Sequence, residues 1–417
     1  MASRDIYRAL AFPNFRWLWI GSLGSSFAMN MQIIARGWLV YTLTSSEMDL
    51  AYVTISFMLP TVLFSLWGGV LADRFQKKRL IIAGQALNCL ATLVMAFIIL
   101  SERVTFWDFI WFGFFNGAVL ALSMPARQAY VPELVPERLI LAATSLNTSG
   151  WNLTRIVGPA FAGLLIALIA GGDKESHFGV GVVYLVIAAL YFISAVTMGL
   201  VRKPSRVNET AGNPWSEVGE AFVYVWRQPP VFGLIVLSII PFLFGMPLNT
   251  LLPAFNEDVL GGGPDDLGFL TSVMGLGAIV GSLVTASLGG MRRKGLWVIL
   301  TCVLWGVAVI AFGASGVLWL ALGTIIAVGF LSSANMSLNR ALLQMQVDPN
   351  MRGRILSIDM MSHGLMPLGV VPISFIAERW GVHSALMASG AAFIVLTLLA
   401  AAFMRSVRVV DHGLDTA

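Results

Sequence analysis

Gly69-Val70-Leu71-Ala72-Asp73-Arg74-Phe75-Gln76-Lys77-Lys78-Arg79 follows one long apolar segment and precedes another. It carries one acid and four bases (Asp73, Arg74, Lys77, Lys78, Arg79) in a chain that is only 12% charged. A charge at the centre of a bilayer costs at least about 2.5 kcal/mol, so this knot belongs at a membrane surface. It reads as a tight turn between two membrane helices, and its basic excess puts it on the cytoplasmic side.

The composition around it agrees. The 417 residues are 57% hydrophobic and the mean hydropathy is +0.81, outside the soluble range, so the chain is a polytopic membrane protein. Arg4 and Arg8 precede an apolar stretch much longer than a signal-peptide core, so the first helix is expected to act as an uncleaved signal. Cys89 and Cys302 both fall inside apolar runs, which predicts no disulfide and no metal site. The net charge of +4 is explained by a cytoplasmic excess of bases, and no nucleic-acid partner is expected.

A span needs about 20 mainly apolar residues to cross roughly 30 Å of hydrocarbon. On that scale there are twelve candidates, near 16–43, 50–72, 80–100, 106–125, 141–170, 179–200, 231–253, 266–288, 296–314, 317–341, 355–377 and 383–404. The one long polar connection, 201–230, contains an amphipathic stretch from Trp215 to Trp226 that reads as an interfacial helix. It divides the chain into a six-helix bundle over 1–200, a cytoplasmic linker over 201–230 and a second bundle over 231–417. With both termini inside, all but Arg36, Arg103, Arg155, Lys174 and Arg379 of the 26 Lys and Arg fall in cytoplasmic segments. The halves echo each other, as internal repeats in transporters do. Arg127 followed by Val135-Pro136-Glu137-Arg138 answers Arg340 followed by Val347 to Arg352, and Arg292-Arg293-Lys294 answers Lys77-Lys78-Arg79.

The opening stretch resembles the signature loop of the major facilitator superfamily, G-x-L-a-D-r-x-G-r-k, which joins the second and third helices. Gly69, Leu71, Asp73, Arg74, Lys77 and Lys78 match in place, and Gln76 stands where the family usually has Gly. Arg155-Ile-Val-Gly158-Pro159-Ala-Phe-Ala-Gly163 on helix five is similar to the Gly-Pro antiporter motif of that superfamily, with Ala162 replacing one Gly. Asn14 to Trp19, Trp38 to Ser45, Pro125-x-Arg127, Val135-Pro136 and Arg352-Gly353-Arg354 together resemble the enterobactin-exporter-like branch. The resemblance implies an all-α membrane fold of twelve transmembrane helices in two pseudo-symmetric six-helix bundles. It implies proton-coupled efflux of a small organic molecule, siderophore-like or drug-like, from the inner membrane.

No enzyme signature is present. Gly261-Gly-Gly-Pro-Asp-Asp266 lacks the G-K-[ST] of a P-loop, and the four histidines form no H-E-x-x-H. No cofactor is expected, and without a nucleotide engine transport must run on an existing gradient.

Polar and charged groups within spans are the functional candidates. Thr148, Asn152 and Arg155 share one face of helix five, and Arg155 reads either as a cavity residue or as a partner of helix-end carbonyls. Arg36, one turn after Gln32 on helix one, is a cavity residue or an outer-rim anchor. Together with Asn116, Asn249 and Asn335 these are the candidate substrate-binding residues. Two arginines facing a cavity would suit an anionic or oxygen-rich substrate. Asp359 and His363 share a face of helix eleven and are the proton-coupling candidates. Asp359 reads first as a gate latch bonding the Arg74 side of the signature loop, the role that the resemblance implies for such a network. Gly113-x-x-x-Gly117 and Gly277-x-x-x-Gly281 read as tight helix crossings. The remaining expectations are a lipid-embedded monomer with a small-molecule substrate and protons as partners. The alternatives are an importer or uniporter of a small anionic metabolite, or a membrane sensor or scaffold that does not transport.

Overall fold

The computed structural model describes residues 8–171, 177–205, 214–287, 293–348, 351, 355, 358–359 and 361–409. Arg4, Lys174, Arg206, Arg292, Arg352 and Arg354, all used in the charge count, lie outside the described residues. So do the side chains of Asp73 and His363, although both residues sit in helical backbone.

Every regular element among the described residues is helical, with no strand among them. The first six helices are α1 (Pro13–Thr44), α2 (Glu47–Arg74), α3 (Lys77–Leu100), α4 (Phe106–Tyr130), α5 (Ile140–Ala170) and α6 (His177–Gly199). The amphipathic stretch is α7 (Pro214–Arg227). After it come α8 (Pro229–Phe244), α9 (Pro247–Ala254) and a π turn over Phe255–Val259. The chain then forms α10 (Pro264–Ser287), α11 (Lys294–Gly313), α12 (Leu318–Gln346), α13 (Met366–Trp380) and α14 (Val382–Phe403). Ten helices among the described residues are long and apolar enough to cross a bilayer. The count of twelve is not reached by that measure. Asn14, Arg16, Asn30, Gln32 and Arg36 dilute α1, and α13 has only 15 residues.

The chain packs as two compact units. The first comprises Met1–Ser45, Tyr52–Gly212 and Gly262–Ser272; the second comprises Ser46–Ala51, Asn213–Gly261 and Val273–Ala417. In the first, α6 lies along α1 and α3, α5 lies along α1, and α3 lies along α4. Helix α2 crosses α4 closely. A Cβ on Gly113 would stand 2.3 Å from Ser56 Oγ, and one on Gly117 would stand 2.1 Å from the Phe57 carbonyl oxygen. Backbone contact of this kind is how helices associate in lipid, where no hydrophobic force drives them together. In the second unit, α11 packs on both α12 and α14, with Trp305 edge-on to Phe393 at 5.3 Å. Gly277 and Gly281 of α10 meet the carbonyls of Ile326 and Phe330 on α12 in the same way.

Two predicted elements take a more specific form. Helix seven is divided at Gly245-Met246 into α8 and α9, because Pro247 lacks the N–H that would continue the ladder to the Leu243 carbonyl. The signature stretch is not an eleven-residue turn: α2 runs through Arg74, and only Phe75 and Gln76 are non-helical before α3 begins. Gln76 has φ −63° and ψ 114°, ordinary extended backbone. The departure from Gly at this position therefore carries no strain. The glycine that packing demands is Gly68, where a Cβ would stand 2.1 Å from the Ala121 carbonyl oxygen, whereas Gly69 has open space around its Cα.

Candidate functional site

Two bases of the signature stretch, Lys77 and Lys78, are bonded within the first unit. Lys77 begins α3 with its side chain 7% exposed, and its Nζ lies 3.0 Å from Glu133 Oε1. Its backbone N–H donates to Ser205 Oγ at 2.8 Å. Lys78 Nζ donates to the carbonyls of Gly199 at 2.9 Å and Val201 at 2.5 Å, at the end of α6. A cation is favoured there, because the last carbonyls of a helix lack intrahelical partners and carry its negative pole. The Tyr130 hydroxyl donates to the Lys203 carbonyl, and Lys203 Nζ donates to the Glu133 carbonyl. A buried apolar cluster that includes Phe15, Leu18, Ala72, Ile81, Tyr130 and Leu134 underlies this rim. Arg74 is exposed.

Deeper in the same unit lies a polar interior. Arg36 is half-buried, with its guanidinium carbon 5.3 Å from the centroid of the Phe57 ring, a cation–π contact. Gln32 is buried and accepts from the Tyr191 hydroxyl at 3.5 Å. Tyr184 and Tyr191 are both within electrostatic reach of Arg36. The Tyr184 hydroxyl and the Asn116 amide nitrogen are buried and have no partner among the described residues. The ring of Tyr184 lies 5.9 Å from that of Phe112, one turn before Asn116. Arg127, assigned from sequence to a cytoplasmic loop, instead sits in the last turn of α4 and donates to Ser25 Oγ at 2.7 Å.

On α5, Thr148 and Arg155 are exposed and Asn152 is half-buried, so the shared face looks onto accessible space. Leu153 and Phe161 of the same helix are also exposed. Arg155 makes no hydrogen bond or ion pair among the described residues. Arg155→Ala should accordingly leave thermal stability within about 0.5 kcal/mol of the parent. It should weaken transport of anionic compounds selectively, measured as initial uptake into inverted vesicles across anionic, neutral and cationic substrates. Equal loss for all three classes would mark a structural arginine. The Gly-Pro element is tightly packed. A Cβ on Gly158 would stand 2.9 Å from Asn30 Cβ, and one on Gly163 would stand 2.1 Å from the Pro264 carbonyl oxygen. Beside Pro159, Ser272 Oγ donates to the Ile156 carbonyl at 2.5 Å, which adds a partner where the proline interrupts the helical ladder.

In the second unit, Asn335 bolts α12 to α11. Its Nδ2 lies 3.0 Å from the Val298 carbonyl, 2.9 Å from Thr301 Oγ1 and 3.0 Å from Cys302 Sγ. Asn249 is exposed and bonds its own helix start at Met246. Asp359 is buried; it accepts from Ser238 Oγ at 2.5 Å and lies 3.7 Å from Arg340 Nη2. Asp108 accepts from the Thr105 N–H at 2.7 Å and caps the start of α4.

Residues 6–414 match the profile of the family described as Transmembrane secretion effector, a branch of the major facilitator superfamily. The chain belongs to that family. Among its relatives, the staphyloferrin A transporter of Staphylococcus aureus is 25% identical over 93% of this chain and 93% of its own length. Macrolide efflux protein A of Streptococcus pyogenes is 24% identical over 92% of this chain and 94% of its own. The enterobactin exporter EntS of Shigella boydii is 23% identical over 81% and 76%. A solved bacterial homologue of the human lysosomal transporter Spinster superposes with a TM-score of 0.76, covering 94% of this chain and 96% of that one at 13% identity. The secretion effector therefore has the major facilitator fold. It is a multi-pass membrane efflux transporter and not an enzyme.

Tyr184, Tyr191, Ser238 and the structural side of Lys77 and Lys78 were missed from sequence. Three of them carried a signal. Tyr184 and Tyr191 are seven residues apart, so they share a helix face. Ser25 and Arg127 recur at one spacing as Ser238 and Arg340.

Proposed function

We propose that this secretion effector exports a small, oxygen-rich or amphiphilic organic molecule in exchange for protons. It works in the inner membrane as a monomer with both termini cytoplasmic, by alternating access of two six-helix halves around a midplane site. The observation that carries the substrate side is a set of donors without acceptors in the first unit. Arg36 is a donor only, and the Tyr184 hydroxyl and the Asn116 amide nitrogen are buried without partners among the described residues. A buried donor left unsatisfied costs about 1–3 kcal/mol. A ligand bearing carboxylate, phenolate or carbonyl oxygens recovers that cost on binding. Asn152 and Arg155, on the accessible face of α5, extend the same chemistry. Relatives named for staphyloferrin A and for macrolides, matched over more than nine-tenths of this chain, support an organic cargo.

The test uses inverted vesicles loaded with a pH dye and offered a panel of anionic siderophores and cationic or neutral drugs. The expected result is proton movement out of acidified vesicles that depends on an oxygen-rich anion. Accumulation without proton movement would remove proton coupling and leave a uniporter or another coupling ion.

A further inference from the structure

Helix α3 carries a buried polar row. Gln85, Asn88 and Thr92 lie one turn apart on a single face, since steps of three and four residues return to the same side of a helix. They are 2%, 5% and 0% exposed. Gln85 Oε1, Asn88 Oδ1 and Thr92 Oγ1 are buried and have no partner among the described residues. Thr271, Thr285 and Thr301 turn their hydroxyls back onto the carbonyl four residues earlier in their own helices. Thr92 makes no such bond, so its hydroxyl is left for something outside the helix.

This face meets two packed neighbours, for α3 lies along both α4 and α6. Gly84 sets the register with α4: a Cβ there would stand 2.9 Å from Ser123 Cβ and 3.6 Å from Val119 Cγ1. A short connection joins α3 to α4, so the two run in opposite directions. One turn outward from the Gly84 contact, Asn88 on α3 therefore comes level with Asn116 on α4. Asn116 holds the complementary orphan, an amide nitrogen buried without an acceptor. One turn further, Thr92 comes level with Phe112, whose ring lies 5.9 Å from that of Tyr184 on α6. The Tyr184 hydroxyl is a further buried orphan.

The internal repeat explains why the row is unsatisfied. The spacing that relates Ser25 to Ser238 and Arg127 to Arg340 also relates Cys89 to Cys302. It sets Gln85, Asn88 and Thr92 against Val298, Thr301 and Trp305 of α11. There the donor comes from α12, where Asn335 Nδ2 bonds the Val298 carbonyl at 3.0 Å and Thr301 Oγ1 at 2.9 Å. The residue at the matching place on α4 is Leu122, which has nothing to donate.

We propose that a file of ordered water molecules runs along this face of α3, in the seam it forms with α4 and α6. Water can donate to Gln85 and Asn88, accept from Asn116 and do either at Thr92 and Tyr184. A buried water typically makes about three bonds to polar groups of this kind. A cation would suit the carbonyl oxygens but not the donors beside them. Nor is there a carboxylate to balance it: α3 and α6 contain no acid, and the one acid of α4, Asp108, caps its outer end. The file joins α3 to α4 by exchangeable bonds, where Asn335 joins α12 to α11 by fixed ones. It fills the seam in the resting transporter, and a cargo oxygen that reaches Asn116 replaces the water there.

The test is X-ray hydroxyl-radical footprinting of the full-length protein in nanodiscs, in which a side chain sealed from solvent is oxidised only if a bound water lies beside it. Met95 shares the face of Asn88, two turns on, and Met198 lies in the apolar cluster beneath the signature rim. Both are 2% exposed. Met95 should be oxidised severalfold faster than Met198, and at the same rate in sodium and in choline buffer. The second measurement is the thermal midpoint of Thr92→Val, which keeps the shape and removes the hydroxyl. In a hydrated seam this change takes a partner from a bound water and lowers the midpoint. In a dry seam it removes an unsatisfied group and leaves the midpoint level or raised. Equal oxidation of the two methionines, or a Thr92→Val midpoint at or above the parent's, would overturn the water file. A sodium-dependent rate at Met95 would put a cation in its place and overturn it too.

Discussion

Gly369→Val should leave little or no folded transporter in the membrane. A Cβ on Gly369 of α13 would stand 1.8 Å from the carbonyl oxygen of Leu243 on α8, and within 2.6 Å of that residue's carbonyl carbon and Cα. The obstacle is backbone, so no side-chain rotation relieves it, and the two helices must separate by more than about 1 Å to restore van der Waals contact. The closeness has a cause in the sequence of α8 and α9. Pro247 leaves the Leu243 carbonyl without its helical partner, and Gly369 lets a neighbouring backbone cover it. The next carbonyl, that of Phe244, is taken by the Ser389 hydroxyl at 2.6 Å. Forcing α13 away uncovers one freed carbonyl and strains the bond to the other. Overpacking in ordinary cores costs about 1–3 kcal/mol, and a clash against backbone in lipid belongs at or above the top of that range. The measurement is yield and thermal midpoint by fluorescence-detected size exclusion. Gly323→Ala serves as control, since nothing lies within 4 Å of its added Cβ. A parent-like midpoint for Gly369→Val would show that the helices part without cost.

Lys77→Met should be the most damaging change in the signature stretch, and its effect should be on stability before transport. Lys77 and Glu133 are 3.0 Å apart with side chains 7% and 16% exposed. Removing one partner of a buried pair costs roughly 3–5 kcal/mol, because the remaining charge is left in a poor solvent. Here the low end applies, since Lys203 lies close to the Glu133 backbone. The distinguishing measurement is the double variant Lys77→Met with Glu133→Gln. Its thermal midpoint should recover most of the loss, because replacing both members of a pair is far less costly than orphaning one. A double variant as unstable as the two single changes combined would mean that Lys77 acts through packing. Lys78→Met, by contrast, removes donors from the carbonyls of Gly199 and Val201 without stranding a charge, so a smaller loss is expected.

These two cases mark where reading the chain succeeded and where it stopped. The apolar spans, the amphipathic helix before Arg227 and the close crossings at Gly113/Gly117 and Gly277/Gly281 were all legible. Each follows from local chemistry that a bilayer makes severe: backbone must bond within its own helix, and small residues must line the contacts. Candidate side chains were legible as types. That Arg36, Arg155 and Asp359 needed explaining followed from a charge being expensive in hydrocarbon.

What each of those side chains meets was decided by the tertiary structure alone. Asn335, a cavity candidate on polarity, uses its amide to bind α12 to α11. Asp359, read as a partner for the Arg74 side of the signature loop, is bonded by Ser238 and faces Arg340. Lys77 and Lys78, matched to the signature loop, tie α3 to Glu133 and to the end of α6. Helical periodicity gives the face on which a residue lies but not the rotation of the next helix that receives it. A few degrees of rotation exchange an acceptor for a methyl group. The sequence by itself determined a membrane-embedded major facilitator chain with most of its charges outside the spans. Packing between helices far apart in sequence decided which of its buried polar groups are bolts and which remain free to bind.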